Sequence, residues 1–390
     1  MGVHDIHQGY VMSGGTSVNA QAYMRGRPDD YSGWHKQLIN NSVSAGCPFK
    51  KVLPYFRELK NNDRLNDFYH GQGGPLQVSD PGRVDVVSRF FSQSVQTVGV
   101  PFTSDFNGTC QTGVGFYQFM NRAGKRCSTA CLRHHPDLTL KLNAKVQCFV
   151  ITNGRVIGVE CRDHKGSVQV IKVRGEVILA ASALVMPKLL KLSGLRSGDE
   201  LRRLDIDIEV ELPDVGENLI DHPEVPITAY SRSRSRYYRQ GQSLRILRNG
   251  LQFKMFGGGP IASAGVEAGT FVNPGGPQDL PSIQAFCVPT VYLDSDAVNF
   301  AKDGYGMTIT TVVIKPKARG SVRLRSAHPA DMPLVSPNLL GHPDDMQVMV
   351  TGRRFFLRTF DASPLKCWRV AVQTSSPCHG RIPAIVLELT

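Results

Sequence analysis

The chain has 390 residues, of which 41% are hydrophobic and 20% charged, and its formal net charge is +12. This is the composition of a globular protein, so the values exclude a mainly disordered chain, and the length allows one large or two medium domains. A positive charge is also typical of nucleic-acid-binding proteins, but here the lysines and arginines are scattered, without a helix-turn-helix, RNP or zinc-finger pattern. The one dense basic run, residues 231–239, is interpreted as a solvated loop, with an anionic surface or partner as the alternative.

The nine cysteines are irregularly spaced, which argues against a disulfide framework. Cys127 and Cys131 lie four residues apart, but no second close pair completes a zinc site, so we predict no metal. Reduced thiols, together with a first segment (1–7) that lacks the apolar core of a signal peptide, predict a cytoplasmic protein. The longest apolar run, 177–186, is too short to span a bilayer.

Hydrophobic periodicity predicts the following elements in chain order. Helices are expected over 47–60, 84–98 and 184–192, and a further helix should start within 126–130 with Ser128 or Thr129 as its cap. Strands are expected over 113–119, 138–142, 146–151, 156–161, 168–173, 176–181, 307–314 and 321–324. Glycine and proline clusters separate longer strand-like runs after residue 224, which predicts an antiparallel sheet over about 224–340.

A glycine-rich loop near the start carries the strongest functional signal. Gly14 and Gly15 have no Cβ, so the backbone there can pass close to a flat ligand. Two hydroxyls, those of Thr16 and Ser17, follow the glycines, and the amide of Asn19 comes next. An amide at this place has few structural reasons, so Asn19 is the side chain most expected to be functional.

Further motifs follow in a fixed order along the chain: 105–108, 113–117, 126–130, 144–146, 176–194, 212–222, 319–322, 336–338 and 342–345. Each motif is weak alone, but the ordered set, from about residue 9 to about residue 365, resembles the glucose-methanol-choline (GMC) flavoprotein oxidoreductases. The 9–34 segment resembles the family's first signature and 176–194 its second. Segments 105–117 and 126–130 look like the choline-dehydrogenase-like branch.

The resemblance implies an α/β (α+β) fold, with a partial FAD-binding Rossmann-like domain and a substrate domain that contains an antiparallel sheet. The domains would be 1–223, 224–365 and an unmatched tail, 366–390. FAD would lie in one cleft, with loop backbone facing the flavin and pyrophosphate and Val146 facing the adenine. The implied cofactor-binding residues are Val11, Gly14, Gly15, Asn19, Ala20, Gln21, Ala22 and Val146.

The implied activity is oxidation of the CH–OH group of an alcohol, choline or a related primary alcohol, with hydride transfer to flavin N5 while a base takes the hydroxyl proton. Some oxidases of the family carry a flavin-linked histidine where this chain has Val18, so FAD should be bound non-covalently. No catalytic residue is assigned: His222 is interpreted as a structural neighbour of the flavin, and His379 as a chance residue of the tail. The expected partner is a small-molecule alcohol, with no nucleic acid.

Two departures from the family pattern lead to alternative functions. No Gly-x-Gly-x-x-Gly occurs in the chain and no βαβ segment precedes residue 9, while the resemblance fades after residue 365. The sequence therefore predicts a chain truncated at both ends, with weak flavin affinity and no detectable alcohol oxidation. A catalytically inactive remnant is the first alternative function, and a basic binding protein is the second. Two substitutions within the motifs, Met186 for a small residue and Arg196 for glycine, are this chain's own.

Overall fold

The computed structural model describes residues 8–40, 47–231, 244–276, 280–291 and 305–373. The helices are α1 (Gly15–Val18), α2 (Pro28–Asn40), α3 (Phe49–Leu59), α4 (Val86–Thr97), α5 (Val185–Leu192), α6 (Gly198–Arg202), α7 (Leu244–Phe256), α8 (Pro343–Asp361) and α9 (Leu365–Trp368). The strands are β1 (Lys60–Asn62), β2 (Leu76–Val78), β3 (Gly113–Phe116), β4 (Asn121–Arg122), β5 (Lys125–Arg126), β6 (Lys145–Thr152), β7 (Arg155–Arg162), β8 (Val168–Lys172), β9 (Glu224–Ser231), β10 (Ala268–Val272), β11 (Ile283–Val288), β12 (Tyr305–Val313), β13 (Ser321–Arg323), β14 (Leu334–Ser336) and β15 (Ala371–Gln373).

The chain forms two compact units, each assembled from separate segments. The first unit contains Met1–Leu138, Glu224–Ile314 and Val348–Thr390, and the second contains Thr139–Pro223 and Lys315–Gln347. One change of unit falls between residues 223 and 224, where the composition of the sequence also changes.

The first unit is built around a six-stranded sheet in the order β15-β9-β12-β11-β10-β3, in which every neighbouring pair is antiparallel. This confirms the antiparallel sheet predicted after residue 224. Two of its strands, β3 and β15, come from outside the predicted range. The pair β13–β14 lies within that range but forms a separate two-stranded sheet.

Helix α4 packs on this sheet and confirms the helix predicted over 84–98. Asp85 caps it by accepting a hydrogen bond from the Val87 N–H at 2.9 Å. The apolar residues Val87, Phe91 and Val95 recur at three- to four-residue intervals, and all are buried.

An aromatic core links the sheet to the neighbouring loops, with Tyr117 in its centre. The ring of Phe106 lies 5.3 Å from the rings of both Tyr117 and Phe271. Gly269 leaves room for the Tyr117 hydroxyl, because a Cβ there would come within 1.9 Å of that oxygen. The hydroxyl accepts a hydrogen bond from Gln284 Nε2 at 2.9 Å, while burial raises the pKa of Tyr117. Core packing is therefore the role of Tyr117.

The second unit contains the antiparallel sheet β6-β7-β8, against which α5 packs. Asn153 and Gly154 both have positive φ, 48° and 72°, and form the two-residue turn between β6 and β7. These elements confirm the strands predicted over 146–151, 156–161 and 168–173, and the helix predicted over 184–192.

Two strand predictions are wrong. Residues 138–142 and 176–181 form no strand, although both are rich in apolar residues. A strand needs a hydrogen-bonded neighbour, and no described segment pairs with either run. Ile178 is accordingly 82% exposed. None of the described helices is long and apolar enough to cross a membrane.

Candidate functional site

The glycine loop makes a sharp turn immediately before α1. Gly14 has φ 52° and ψ −127°, a backbone conformation that is open to glycine and costly for other residues. A Cβ added to Gly15 would meet nothing within 4 Å, so this backbone faces open space. The loop therefore has the local geometry that close approach of a flat ligand requires.

The loop is held by the last residue of β5 and the segment that follows it, so the structure brings together two motifs 110 residues apart in the sequence. Arg126 Nη1 donates to the Thr16 carbonyl at 3.1 Å and to Asn19 Oδ1 at 2.7 Å, while Nη2 donates to the Asn19 carbonyl at 2.6 Å. The Thr129 N–H donates to Thr16 Oγ1 at 3.3 Å. The Thr16 hydroxyl thus caps the 3₁₀ helix Thr129–His134. The sequence had predicted Ser128 or Thr129 for this role.

Asn19 has a structural role that the sequence did not suggest. Its Oδ1 accepts from the Gln21 N–H at 3.0 Å as well as from Arg126. The side chain thus orders the end of the loop. Arg126 belongs to the 126–130 motif but was not predicted as a site residue. Its contact with the glycine loop becomes visible only in the folded chain.

The loop continues as an extended segment beside Phe119. Ala22 forms an antiparallel bridge with Phe119, and the Gln21 carbonyl accepts from the Met120 N–H at 2.8 Å. Gln21 has φ 63°, and its Oε1 is buried without a hydrogen-bond partner among the described residues. A buried acceptor of this kind is costly unless a ligand or water supplies a donor.

The proposed site residues fall into both units. Val11, Gly14, Gly15, Asn19, Ala20, Gln21 and Ala22 form one continuous stretch of the first unit. Val146 lies in the second unit, on β6, where it pairs with Cys161 and is partly buried. A single cleft containing Asn19 and Val146 stays a prediction.

A cavity of about 380 Å³ lies in the first unit, on the other side of Phe119 from the loop. Phe119 pairs with Ala22 on one side and with Ser79 on the other, and Ser79 lines the cavity. The cavity wall carries four carboxylates and two aromatic rings, those of Asp63, Asp80, Asp85, Glu267, Phe119 and Phe256.

Burial gives these carboxylates an unusual environment. It raises the pKa of Asp63, and the nearby Asp80 acts in the same direction. Burial also raises the pKa of Asp85, to which the charge of Glu267 contributes. Asp85 Oδ2 has no hydrogen-bond partner among the described residues. Arg83 also lines the cavity, and Arg64 Nε pairs with Asp80 at 2.7 Å, so two cations partly balance the four carboxylates of the wall.

Glu267 anchors this wall. It is 1% exposed, and its Oε2 accepts from the Asp85 N–H at 2.6 Å and from Ser88 Oγ at 3.0 Å. Its Oε1 accepts from Ser263 Oγ at 3.0 Å. The cavity has no signal in the sequence, because its acids are spread over residues 63–85 and 267 with no recognisable spacing.

None of the histidines His134, His135 and His222 lines this cavity. His222 is exposed in the second unit, and His134 and His135 are exposed in the first. His379 lies outside the described residues, as does the basic run after Ser231. Within the described ranges, no three His, Cys, Asp or Glu side chains form a cluster that could hold a metal ion.

Comparisons with known proteins agree with the motifs. Two family models described as GMC oxidoreductase match residues 4–224 and 316–382. The second match includes 366–382, where the sequence motifs showed no resemblance. Alcohol dehydrogenase [acceptor] of Pseudomonas putida is 33% identical over 91% of this chain and 64% of its own length. Mitochondrial choline dehydrogenase of Mus musculus is 34% identical over 87% of this chain and 56% of its own length.

Solved structures share the fold. An FAD-dependent oxidoreductase from Chaetomium thermophilum superimposes with a TM-score of 0.81 at 19% identity, covering 96% of this chain and 72% of that one. A fungal aryl-alcohol oxidase gives a TM-score of 0.80 at 18% identity, covering 95% and 72%. The chain spans less than two thirds of the two curated relatives named above. On the family matches, the chain belongs to the GMC oxidoreductases.

Proposed function

We propose that this chain binds FAD non-covalently and acts as an oxidoreductase on the CH–OH group of an alcohol, choline or a related primary alcohol. The observation that carries the proposal is the glycine loop fixed by Arg126, because it presents an open backbone in a defined conformation. Bound FAD would supply the hydride acceptor, flavin N5.

The residues present fit a flat, partly apolar cofactor. Gly15 leaves the backbone open, and the buried Gln21 Oε1 lacks a donor, which an N–H group of a flavin could provide. Val11 and Val18 are 56% and 55% exposed, so they offer apolar surface to a ring. The side chain of Val18 has no nucleophilic atom, which supports non-covalent binding. The residues proposed to hold FAD are Val11, Gly14, Gly15, Asn19, Ala20, Gln21, Ala22 and Val146.

The cavity favours a cationic alcohol over a neutral one. Its volume of about 380 Å³ suits a small ligand. Among the described residues, the unpaired acids Asp63 and Asp85 outnumber the one basic side chain of the lining, Arg83. The rings of Phe119 and Phe256 provide the aromatic surface on which a quaternary ammonium group is stabilised. This supports choline, or an alcohol of similar charge, as the substrate.

The cysteines support the proposed cytoplasmic location. Every described cysteine is a free thiol, and two of them, Cys161 and Cys287, are buried. Free thiols are the usual state in a reducing compartment.

Flavin binding is tested by titrating the chain with FAD and following flavin fluorescence. Arg126→Gln removes the three hydrogen bonds to the loop and should weaken FAD binding about tenfold, equivalent to about 1.4 kcal/mol. The control is Arg133→Gln, because Arg133 is exposed in the 3₁₀ helix Thr129–His134 and, among the described residues, bonds to the local Ala130 carbonyl alone. It should change the affinity less than about twofold. Equal affinities for the two variants, or no saturable binding at all, would contradict the proposal.

The substrate is tested by binding, which needs no turnover. Choline is compared with 3,3-dimethylbutan-1-ol, which has nearly the same shape but no charge, in calorimetric titrations of the FAD-loaded chain. Choline should bind at least about tenfold more tightly. Asp85→Asn should reduce this preference, whereas Asp163→Asn, on an exposed turn, should leave it unchanged. Equal binding of the two alcohols would exclude the charge-based assignment.

A further inference from the structure

Helix α7 exposes an apolar stripe. Leu247, Leu251 and Met255 follow one another at four-residue intervals, which places them on one face of an α-helix. They are 68%, 60% and 63% exposed. A helix on the surface of a globular protein normally directs such a face towards the core.

The opposite face of α7 already holds the helix to the first unit. Asn249 is buried, and Phe253 packs beside Gly124. A Cβ on Gly124 would meet the Phe253 ring at 2.9 Å and the Ala262 side chain at 2.6 Å. The stripe is therefore not the attachment face of the helix.

Two further apolar side chains near the end of the helix are exposed. Phe256, the last residue of α7, is 77% exposed, and Ile261 in the following 3₁₀ helix is 46% exposed. Helical geometry places Phe256 about 140° from Leu251, so its side chain lies outside the stripe. Single exposed apolar residues are ordinary, whereas the three aligned residues of the stripe mark an interaction site.

The charged residues beside the stripe indicate which kind of partner it binds. Helical geometry places Arg248 and Lys254 about 60° to either side of Leu251, so exposed basic residues flank the stripe on both sides. No acidic residue occurs between residues 244 and 256. A second copy of the chain would bring these like charges together, so the composition disfavours a dimer through this face. An anionic lipid surface complements both the stripe and its basic flanks.

We infer that α7 docks the protein on an anionic membrane surface. Leu247, Leu251 and Met255 enter the boundary between head groups and acyl chains, while Arg248 and Lys254 contact lipid phosphates. The attachment is peripheral, consistent with the finding that none of the described helices could cross a bilayer.

Vesicle co-sedimentation of the full chain tests this inference, with vesicles of phosphatidylcholine alone or mixed with phosphatidylglycerol. The chain should bind the mixed vesicles and bind the neutral ones much more weakly. Leu247→Gln combined with Leu251→Gln should lower the partition coefficient at least about tenfold. The matched control combines Leu138→Gln with Leu142→Gln, two leucines that are also four residues apart and are 48% and 59% exposed. The control should bind like the unsubstituted chain.

A second pair of variants tests the charge contribution. Arg248→Gln and Lys254→Gln should each weaken binding to the mixed vesicles about fivefold, and added salt should reduce that difference. Absence of binding to the mixed vesicles, or unchanged binding of the Leu247/Leu251 variant, would overturn the inference. So would self-association in solution that the same leucine substitutions abolish, because the stripe would then bind a second copy. None of these results depends on FAD or on catalysis.

Discussion

Arg196 provides the sharpest test of how the second unit holds together. Its side chain is 5% exposed and donates from Nε to Glu200 Oε2 at 2.9 Å. Nη1 donates to the carbonyls of Pro213 and Val215, and Nη2 donates to Glu217. The arginine therefore connects α6 to the 213–217 segment, which belongs to the 212–222 motif. Family resemblance places a glycine at this position, so this tie is particular to the chain.

Arg196→Met should destabilise the second unit by about 3 kcal/mol. Breaking a buried ion pair by removing one partner typically costs about 3–5 kcal/mol. The lower end applies here, because Lys191 remains 3.0 Å from Glu200 and Arg323 remains 3.1 Å from Glu217. The two carboxylates thus keep a cation, while the carbonyls of residues 213 and 215 lose their donor.

Urea unfolding followed by circular dichroism measures the free energy, and hydrogen exchange over 213–217 locates the change. Arg202→Met is the control, since Arg202 is 62% exposed and its one ion pair within the described ranges is with Asp199 on its own helix. The control should cost less than about 0.5 kcal/mol. A loss below about 1 kcal/mol for Arg196→Met, or a loss equal to that of the control, would refute the reasoning.

Two further predictions concern buried charges of the first unit. Burial lowers the pKa of Lys60 from 10.5 to about 8, and the charge of Arg25 adds to this effect. The folded state therefore binds this proton less tightly than the unfolded state, and stability should rise with pH between about 8 and 10.5. Lys60→Met should remove the rise in the free energy of unfolding, measured by urea unfolding at several pH values across this range. The same dependence of stability on pH in the variant would contradict this assignment to Lys60. Asp85→Asn should keep the cap of α4 and remove a destabilising buried charge, so thermal unfolding at pH 7 should show no loss of stability and a gain of up to about 1 kcal/mol. A loss greater than about 1 kcal/mol would mean that the ionised carboxylate is required.

The sequence predicted best those elements whose partners lie close along the chain. The hydrophobic face of α4 and its stop before Gly99 were readable from local spacing. The hairpin β6–β7 was also readable, because Asn153–Gly154 specifies the turn between two β-rich runs. In each case the information for the element is contained in about twenty residues.

The pairing of strands that are distant along the chain could not be predicted from the sequence. β3 joins the large sheet by pairing with β10, from which about 150 residues separate it, and β15 joins by pairing with β9. Residues 176–181 have the apolar composition of a strand but lack a neighbour among the described residues. Composition indicates that a segment can pair, whereas the fold decides whether a partner is present.

The same distinction between local and long-range information applies to the residues of the candidate site. Gly14 could be found because its backbone conformation restricts the residue type. Arg126 and the carboxylates of the cavity could not be found, because their roles depend on segments brought together by folding. The membrane-facing stripe of α7 was also missed, since periodicity alone does not distinguish an exposed apolar face from a buried one.

Hydrogen–deuterium exchange with and without saturating FAD tests the central claim most directly. The account predicts slower exchange at the backbone amides of residues 11–22 and 126–129 when FAD is added, and no slowing in α8, whose range Pro343–Asp361 is remote from the loop in sequence. In the Arg126→Gln variant, the loop should exchange faster without FAD, and the protection should be smaller at the same FAD concentration. Unchanged exchange over 11–22 at saturating FAD, or protection confined to other segments, would contradict the assignment of this loop as the flavin site.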